Sequence, residues 1–327
     1  ARIYILWISY IIFIYLLIML YFLCLVVFFL CFPLSTLMMN TSMHSFPSVM
    51  NTAVLSRKSI SYSLTEAIAR YSKNNTIFLM LVDTGYFNQF LNAYYIGNLN
   101  QYDNLLVVCL DIESCNMLSK MKIHSVFLRN QSASTDQFTV QGSPLFAKKM
   151  QNKLDIIHTA LLNGYNVFYM DSDIILFKNP FPYFYRLKSY DMLVQRDDNI
   201  CAGFMFIYSR ESTIDLFKLD IGNNIDDQPA LVHAYNQSKN VNLYFLPTDT
   251  FSSGKVFWSS HSFYWDPIDS KQIMIHNNYV RYREIKDYRF KEMHLYALDV
   301  NKEYSDPNGR YLTIEILPSI YNHSYLL

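Results

Sequence analysis

Three short runs limit what this chain can fold into. TIFLMLVD (Thr76–Asp83), NLLVVCL (Asn104–Leu110) and NVFYM (Asn166–Met170) are apolar at nearly every position. A strand with one wet face alternates apolar and polar residues, whereas an unbroken apolar run is a strand covered on both faces. Helical patterns separate the runs. SLTE (Ser63–Glu66) has capping-box spacing, with Leu64, Ile68 and Tyr71 following on one face, so a folded domain begins here. After Gly85, the residues Phe87, Phe90, Leu91, Tyr94 and Tyr95 mark a second helix, and Asp111 is placed to cap a third. HSVFLR (His124–Arg129) reads as a further strand. Pro144 opens a long helix in which Met150, Leu154, Ile157 and Leu161 recur at four-three-four spacing, and Gly164 ends it as a left-handed cap. The fold class is therefore α/β, a mainly parallel sheet sandwiched by helices. In such sheets ligands bind beyond the carboxyl ends of the strands, where Asp83 and Asp171 stand.

The chain is 327 residues long with a formal net charge of zero, so it has no basic field to hold a nucleic acid. From Ile3 to Phe32 there is no charged residue. A bilayer needs roughly 20 apolar residues as a helix, and a cleaved signal peptide has an apolar stretch of only about 7–15. The run reads as one N-terminal transmembrane helix, a retained signal anchor. Arg2 precedes it and no Lys or Arg follows until Arg57, which favours an N-inside orientation. Asn40, Asn74, Asn130, Asn236 and Asn322 each head an Asn-x-Ser/Thr triplet beyond the span, in keeping with a body in the secretory lumen. The expected organisation is an anchor over 1–32, a Ser-, Thr-, Asn- and Pro-rich stem over 33–62, a catalytic domain over 63–300 and a tail over 301–327. Cys109, Cys115 and Cys201 suffice for one disulfide at most, show no zinc spacing, and read as buried free thiols.

The run NVFYM meets two acids one residue apart, Asp171 and Asp173. Residues i and i+2 of an extended segment project from the same face, so both carboxylates can reach one spot. Two like charges so close are unfavourable unless a cation lies beside them. Hard divalent ions such as Mn²⁺ and Mg²⁺ prefer oxygen ligands and are shared with substrate phosphates. An isolated Asp-x-Asp is common in surface turns. At the end of an apolar strand, after a helix–Gly–strand unit, it reads as a metal–diphosphate site.

Four blocks in order carry a resemblance: LLNGYNVFYMDSDIILFKNPF, DMLVQRDDNICAGFMFIYSR (Asp191–Arg210), DDQPAL (Asp226–Leu231) and HNNYVRYREIK (His276–Lys286). Over roughly Thr65 to Lys291 the chain resembles the nucleotide-diphospho-sugar transferases that include plant cell-wall arabinosyl- and xylosyltransferases, glycosyltransferase family 77. The resemblance implies a GT-A (Rossmann-like) fold and a retaining, metal-dependent transferase of single-pass type II topology in the Golgi membrane. It also implies a nucleotide-sugar donor, a UDP-sugar, and a glycan, protein or lipid acceptor.

Residue by residue, it gives Asp171 and Asp173 the metal, Asp173 as the more direct ligand, with His276 closing the site. By itself His276 reads as a core or strand-end histidine. Lys286 is suited to a diphosphate oxygen, its other reading being an exposed helix lysine. Asp83 and Gly85 fall where the fold receives the nucleotide, Gly203 lets backbone approach a ligand, and Asp227 and Gln228 face the sugar. Two positions depart from the family: Tyr282 stands where Gly is expected, and Asp83 where Asn is expected. Two other classes stay open at this point, a phosphohydrolase with Asp171 as nucleophile and a catalytically silent sugar-binding module on the same fold.

Overall fold

The computed structural model describes residues 62–128, 143–218, 225–238, 240–260 and 270–298. The apolar run, nearly all of the stem, the triplets at Asn40, Asn130 and Asn322 and the tail beyond Leu298 lie outside the described residues. Among the described residues no helix is long and apolar enough to cross a membrane. Asn74 and Asn236, the other two triplet heads, are exposed.

Helix α1 (Leu64–Tyr71) starts at Ser63, whose side chain and that of Glu66 close the capping box. Strand β1 (Thr76–Val82) is buried at every position. Asp83 ends it and accepts from the Tyr86 amide, which turns the chain into α2 (Phe87–Ile96). Strand β2 (Leu105–Cys109) runs to Asp111, the cap of α3 (Ile112–Lys120), and β3 (Ser125–Phe127) follows. Helix α4 (Pro144–Leu162) runs directly into the Asn163–Gly164 turn, where Gly164 takes φ +83°.

Then come β4 (Asn166–Met170), β5 (Ile174–Leu176), α5 (Phe181–Arg186), β6 (Met192–Arg196) and β7 (Ile200–Ile207). Helices α6 (Glu211–Phe217) and α7 (Asp227–Gln237) precede β8 (Leu243–Leu246) and β9 (Phe251–Ser252). The last described elements are α8 (Gly254–Ser260), β10 (Met274–His276) and α9 (Arg283–Glu292).

Seven strands form one sheet in the order β3-β2-β1-β4-β7-β6-β8. Every neighbouring pair is parallel except the two that β7 makes, with β4 and with β6. The architecture is α/β, with a mixed, mainly parallel sheet flanked by helices. Successive side chains of β1 explain its unbroken apolar sequence: Ile77, Leu79 and Leu81 pack in one core, Phe78, Met80 and Val82 in the other. The first core meets α1, α4, α6 and α7, and the second meets α2, α3 and α5. Much of the aromatic content lies in the second core, where Phe168 has the rings of Phe78, Phe181, Phe184 and Phe204 within 5.5 Å, centroid to centroid. Burying each such ring contributes about 2–3 kcal/mol.

Two features differ from the sequence reading. Cys109 and Cys115 are joined in a disulfide rather than being free thiols, while Cys201 is buried and free. The Asp111 cap is the physical reason. It folds α3 back at the end of β2 and leaves the two Cα atoms 5.6 Å apart, inside disulfide range. The second feature is a three-stranded sheet, β5-β10-β9, that the sequence reading did not contain. Ile174 pairs with His276 across β5 and β10, and the Asn277 amide donates to the Asp173 carbonyl at 2.9 Å. This pairing carries His276 to Asp173 from a hundred residues away in sequence.

Candidate active site

The chain leaves the large sheet at Met170 and enters the small one at Ile174, so Asp171–Asp173 is a turn and not extended strand. The two acids therefore converge by a different route from the one their spacing predicts. Asp171 still follows the β4 alternation and accepts from the Tyr169 hydroxyl, on the same face, at 2.9 Å. Its amide donates to the Gly203 carbonyl at 2.8 Å. Asp173 is buried beneath the turn.

Each acid has its own ammonium group. Lys286 Nζ lies 2.5 Å from Asp173 Oδ2, and Lys153 Nζ lies 3.1 Å from Asp171 Oδ1. Lys286 is thus no solvated helix lysine. Burial would raise the Asp173 carboxyl, but Lys286 and His276 beside it hold it far below the usual carboxylate range. Burial would likewise lower the His276 imidazole, yet Asp173, and Cys201 after it, raise it to about 10. His276 Nε2 is 3.3 Å from Asp173 Oδ1, and Nδ1 is 2.8 Å from Gln195 Oε1. Gln195 sits at a register shift between Val194 and Arg196, the kind of bulge that re-aims a side chain.

Asp171, Asp173 and His276 each offer one donor atom, and the three atoms lie within 4.8 Å of one another. Two carboxylate oxygens and one imidazole nitrogen suit Mn²⁺ or Mg²⁺. Gln195, by accepting from Nδ1, fixes the ring so that Nε2 faces the acids, as partners of metal-binding histidines do. Gly203 presses on the same spot. A Cβ there would stand 2.6 Å from Asp171 Oδ2 and 2.6 Å from His276 Cε1.

Asp171, Asp173, Gly203, His276 and Lys286 line a cleft of about 750 Å³ that also takes in Asp83, Asp227, Gln228, Lys149 and Lys153. Gly85 is buried in the turn after β1, outside the cleft lining, with its carbonyl 3.4 Å from Arg283 Nη1. Tyr282 is exposed at the start of α9, also off the lining. Lys149 Nζ meets Asp83 Oδ2 at 2.5 Å, both buried. Lys153, 1% exposed at its side chain, pairs with Asp227 as well as Asp171 and donates to the Ala202 carbonyl at 3.2 Å. Burial works against its charge, but the two carboxylates outweigh it and keep the amine ionised. Gln228 Oε1 accepts from the Ala202 amide at 3.4 Å. Burial and the Asp227 carboxylate raise the Asp226 carboxyl, at the cap of α7, to about 7.

Sequence reasoning missed Lys149, Lys153, Tyr169 and Gln195. In the folded chain Lys149, Lys153, Ile156 and Ala160 form one buried stripe of α4, which two lysines four apart do not announce in sequence.

A sequence profile described as nucleotide-diphospho-sugar transferase matches residues 100–290. The chain belongs to this family. It is a glycosyltransferase that uses a nucleotide-sugar donor. It is 26% identical over 305 residues to UDP-D-xylose:L-fucose alpha-1,3-D-xylosyltransferase 3 of Arabidopsis thaliana, covering 79% of this chain and 78% of that one. A Dictyostelium discoideum UDP-galactose:fucoside alpha-3-galactosyltransferase shares 34% identity over 102 residues, 27% of this chain and 16% of that one. A solved structure, a glycosyltransferase involved in the glycosylation of the major capsid of PBCV-1, overlays with a TM-score of 0.37 at 10% identity, over 66% of this chain and 98% of that one. That likeness is too slight to add to the assignment.

Proposed function

We propose that this glycosyltransferase takes xylose from UDP-xylose and attaches it, with retention, to a hydroxyl of a fucosyl acceptor, with a divalent ion in the site. One observation carries the reading: the donor atoms of Asp171, Asp173 and His276 lie within 4.8 Å of one another in a cleft that Lys286 also lines. The Arabidopsis relatives named for UDP-xylose and L-fucose support the choice of sugars, and a UDP-galactose:fucoside enzyme shares the acceptor type. Retention is what the family resemblance implies.

In the transfer, the bond from the anomeric carbon to the diphosphate oxygen breaks and its electron pair leaves with the diphosphate. The acceptor oxygen bonds to the anomeric carbon on the same face, and its proton passes to the departing diphosphate. An Mn²⁺ or Mg²⁺ held by Asp171, Asp173 and His276 would act as a Lewis acid on the leaving group. Lys286 brings a positive charge to the same place. Asp227, paired with Lys153, and Gln228 line the same cleft and would support the sugar ring. Nothing bonds covalently to Asp171 in this scheme, which sets it apart from phosphohydrolase chemistry. We place the body in the Golgi lumen behind an anchor at 1–32, as a single-pass type II protein.

The test is UDP release from UDP-xylose, UDP-galactose, UDP-glucose and UDP-arabinose, with Mn²⁺ or with a chelator, with and without methyl α-L-fucoside. UDP-xylose should be the preferred donor, the chelator should silence it, and Asp173→Ala should be inactive though folded. Full activity in the chelator, or no UDP from any donor, defeats the reading.

A further inference from the structure

We propose that Tyr279 and Asp197 form the subsite for the acceptor sugar, on the far side of the Asp171–Asp173 turn from Asp83. The proposal rests on the transferase reading above and says where its acceptor docks.

The sheet order sets the two sides. Asp83 follows β1, Asp171 follows β4, and Asp197 lies in the connection from β6 to β7. Strands β1, β4, β7 and β6 are neighbours in that order, so Asp197 and Asp83 flank the acid pair from opposite directions. All of them line one cleft, together with Tyr279. The two ends differ in access. At the β1 end Asp83 and Lys149 are 4% and 5% exposed, whereas Tyr279 is 45% exposed. An enclosed end suits a nucleoside, which is released whole. An open lip suits one residue of a larger glycan, whose remainder must stay in solvent.

The lip is built, not incidental. Tyr279 has φ +62°, a left-handed conformation that a bulky side chain takes only when its surroundings impose it. Here they do, through Asn278. Its Oδ1 accepts from the Gly254 amide at 2.7 Å, its carbonyl accepts from Arg289 Nη1 at 3.2 Å, and its Nδ2 donates to Asp197 Oδ2 at 3.3 Å. Only glycine fits at 254, since a Cβ there would stand 2.4 Å from the Asn278 carbonyl oxygen. The clamp on Asn278 thus turns the next side chain out over the cleft, with Lys255 Nζ 5.6 Å from its ring centroid.

Asp197 steadies the ring. Its side chain hydrogen-bonds the Tyr279 side chain, the phenol being the donor to the carboxylate. A tyrosine ring fixed at its hydroxyl and at its backbone, and open to the cleft, matches a pyranose, whose C–H face lies on the ring. A 6-deoxy sugar adds an apolar methyl edge for the tyrosine to cover.

Steady-state transfer from UDP-xylose to methyl α-L-fucoside by the full chain tests this. Tyr279→Ala should raise the acceptor's KM about tenfold, the loss of one good contact, and move the donor's KM less than twofold. Tyr279→Phe keeps the ring but loses the bond to Asp197 that steadies it, so its acceptor KM should fall between those of the wild type and Tyr279→Ala. An unchanged acceptor KM in Tyr279→Ala, or donor and acceptor KM values rising together, overturns the subsite. If the wild-type chain releases no UDP even without acceptor, it is the transferase reading that has failed.

Discussion

Gly203 and Asp171 face each other across the first rung beyond the β4–β7 ladder, so closely that a methyl group on the glycine would lie 2.6 Å from Asp171 Oδ2. The same methyl would lie 2.6 Å from His276 Cε1, so it wedges two of the three donor residues at once. The backbone there is not left-handed, and alanine is conformationally acceptable. Gly203→Ala should therefore fold, at a cost of about 1–3 kcal/mol for overpacking. Its Mn²⁺ affinity should fall more than about tenfold as the donors are pushed apart. Titration calorimetry with Mn²⁺ beside a melting curve separates the two effects.

Lys153 holds Asp171 and Asp227 from a position with almost no exposure. Removing one partner of a buried charge cluster is strongly destabilising, by about 3–5 kcal/mol, because the remaining charges keep their desolvation cost. Lys153→Met should thus lower the unfolding midpoint sharply. Lys153→Met with Asp227→Asn should recover part of the loss, since one stranded carboxylate is then neutral. Urea unfolding of the single and double variants reads this directly, and equal losses would show that Asp227 is not stabilised through Lys153.

Why the strands were legible and these lysines were not follows from burial. Strands β1, β2 and β4 are covered on both faces, so their sequences lack polar positions and announce themselves. Ser63, Asp111 and Gly164 mark helix ends by local chemistry that needs no tertiary context. The small sheet is built from β5, β9 and β10, strands of two or three residues, too short to carry any period. Lysines four apart on a helix normally define its wet side, so Lys149 and Lys153 pass for surface until the acids they face are known. His276 became visible only by resemblance, because its link to Asp173 is a long-range strand pairing. The cysteine spacing allowed a disulfide or two thiols, and the turn at Asp111 decided it.

Asp226 gives the fold a pH dependence. Burial and the neighbouring Asp227 raise its carboxyl to about 7, above the ordinary aspartate value. A folded-state pKa above the unfolded one means that the native state holds the proton more tightly. Its contribution to stability is complete below about pH 4 and is lost as pH rises through about 7. The group is partly solvated, so the effect is screened to on the order of 1 kcal/mol. Asp226→Asn keeps an α7 cap and removes the titration. The variant should match the wild type near pH 5 and exceed it in unfolding midpoint near pH 8. Parallel curves across that range would mean that Asp226 ionises freely in the folded chain.

The pair Asp83–Lys149 at the enclosed end of the cleft lends itself to a double-mutant cycle. Both side chains are buried, 2.5 Å apart, and Asp83 also accepts from the Tyr86 amide, so the ion pair fixes the turn after β1. Asp83→Asn leaves an amide facing a buried ammonium, and Lys149→Met leaves a buried carboxylate. Each should cost about 3 kcal/mol, while the double variant should cost clearly less than the sum. The family pattern expects Asn at position 83, so the asparagine should be harmless once Lys149 no longer demands a counter-charge. UDP binding by calorimetry then divides the roles of the pair. If Asp83 serves only Lys149, the double variant binds UDP like the wild type. If its carboxylate also receives the nucleoside, the double variant stays weak however well it folds.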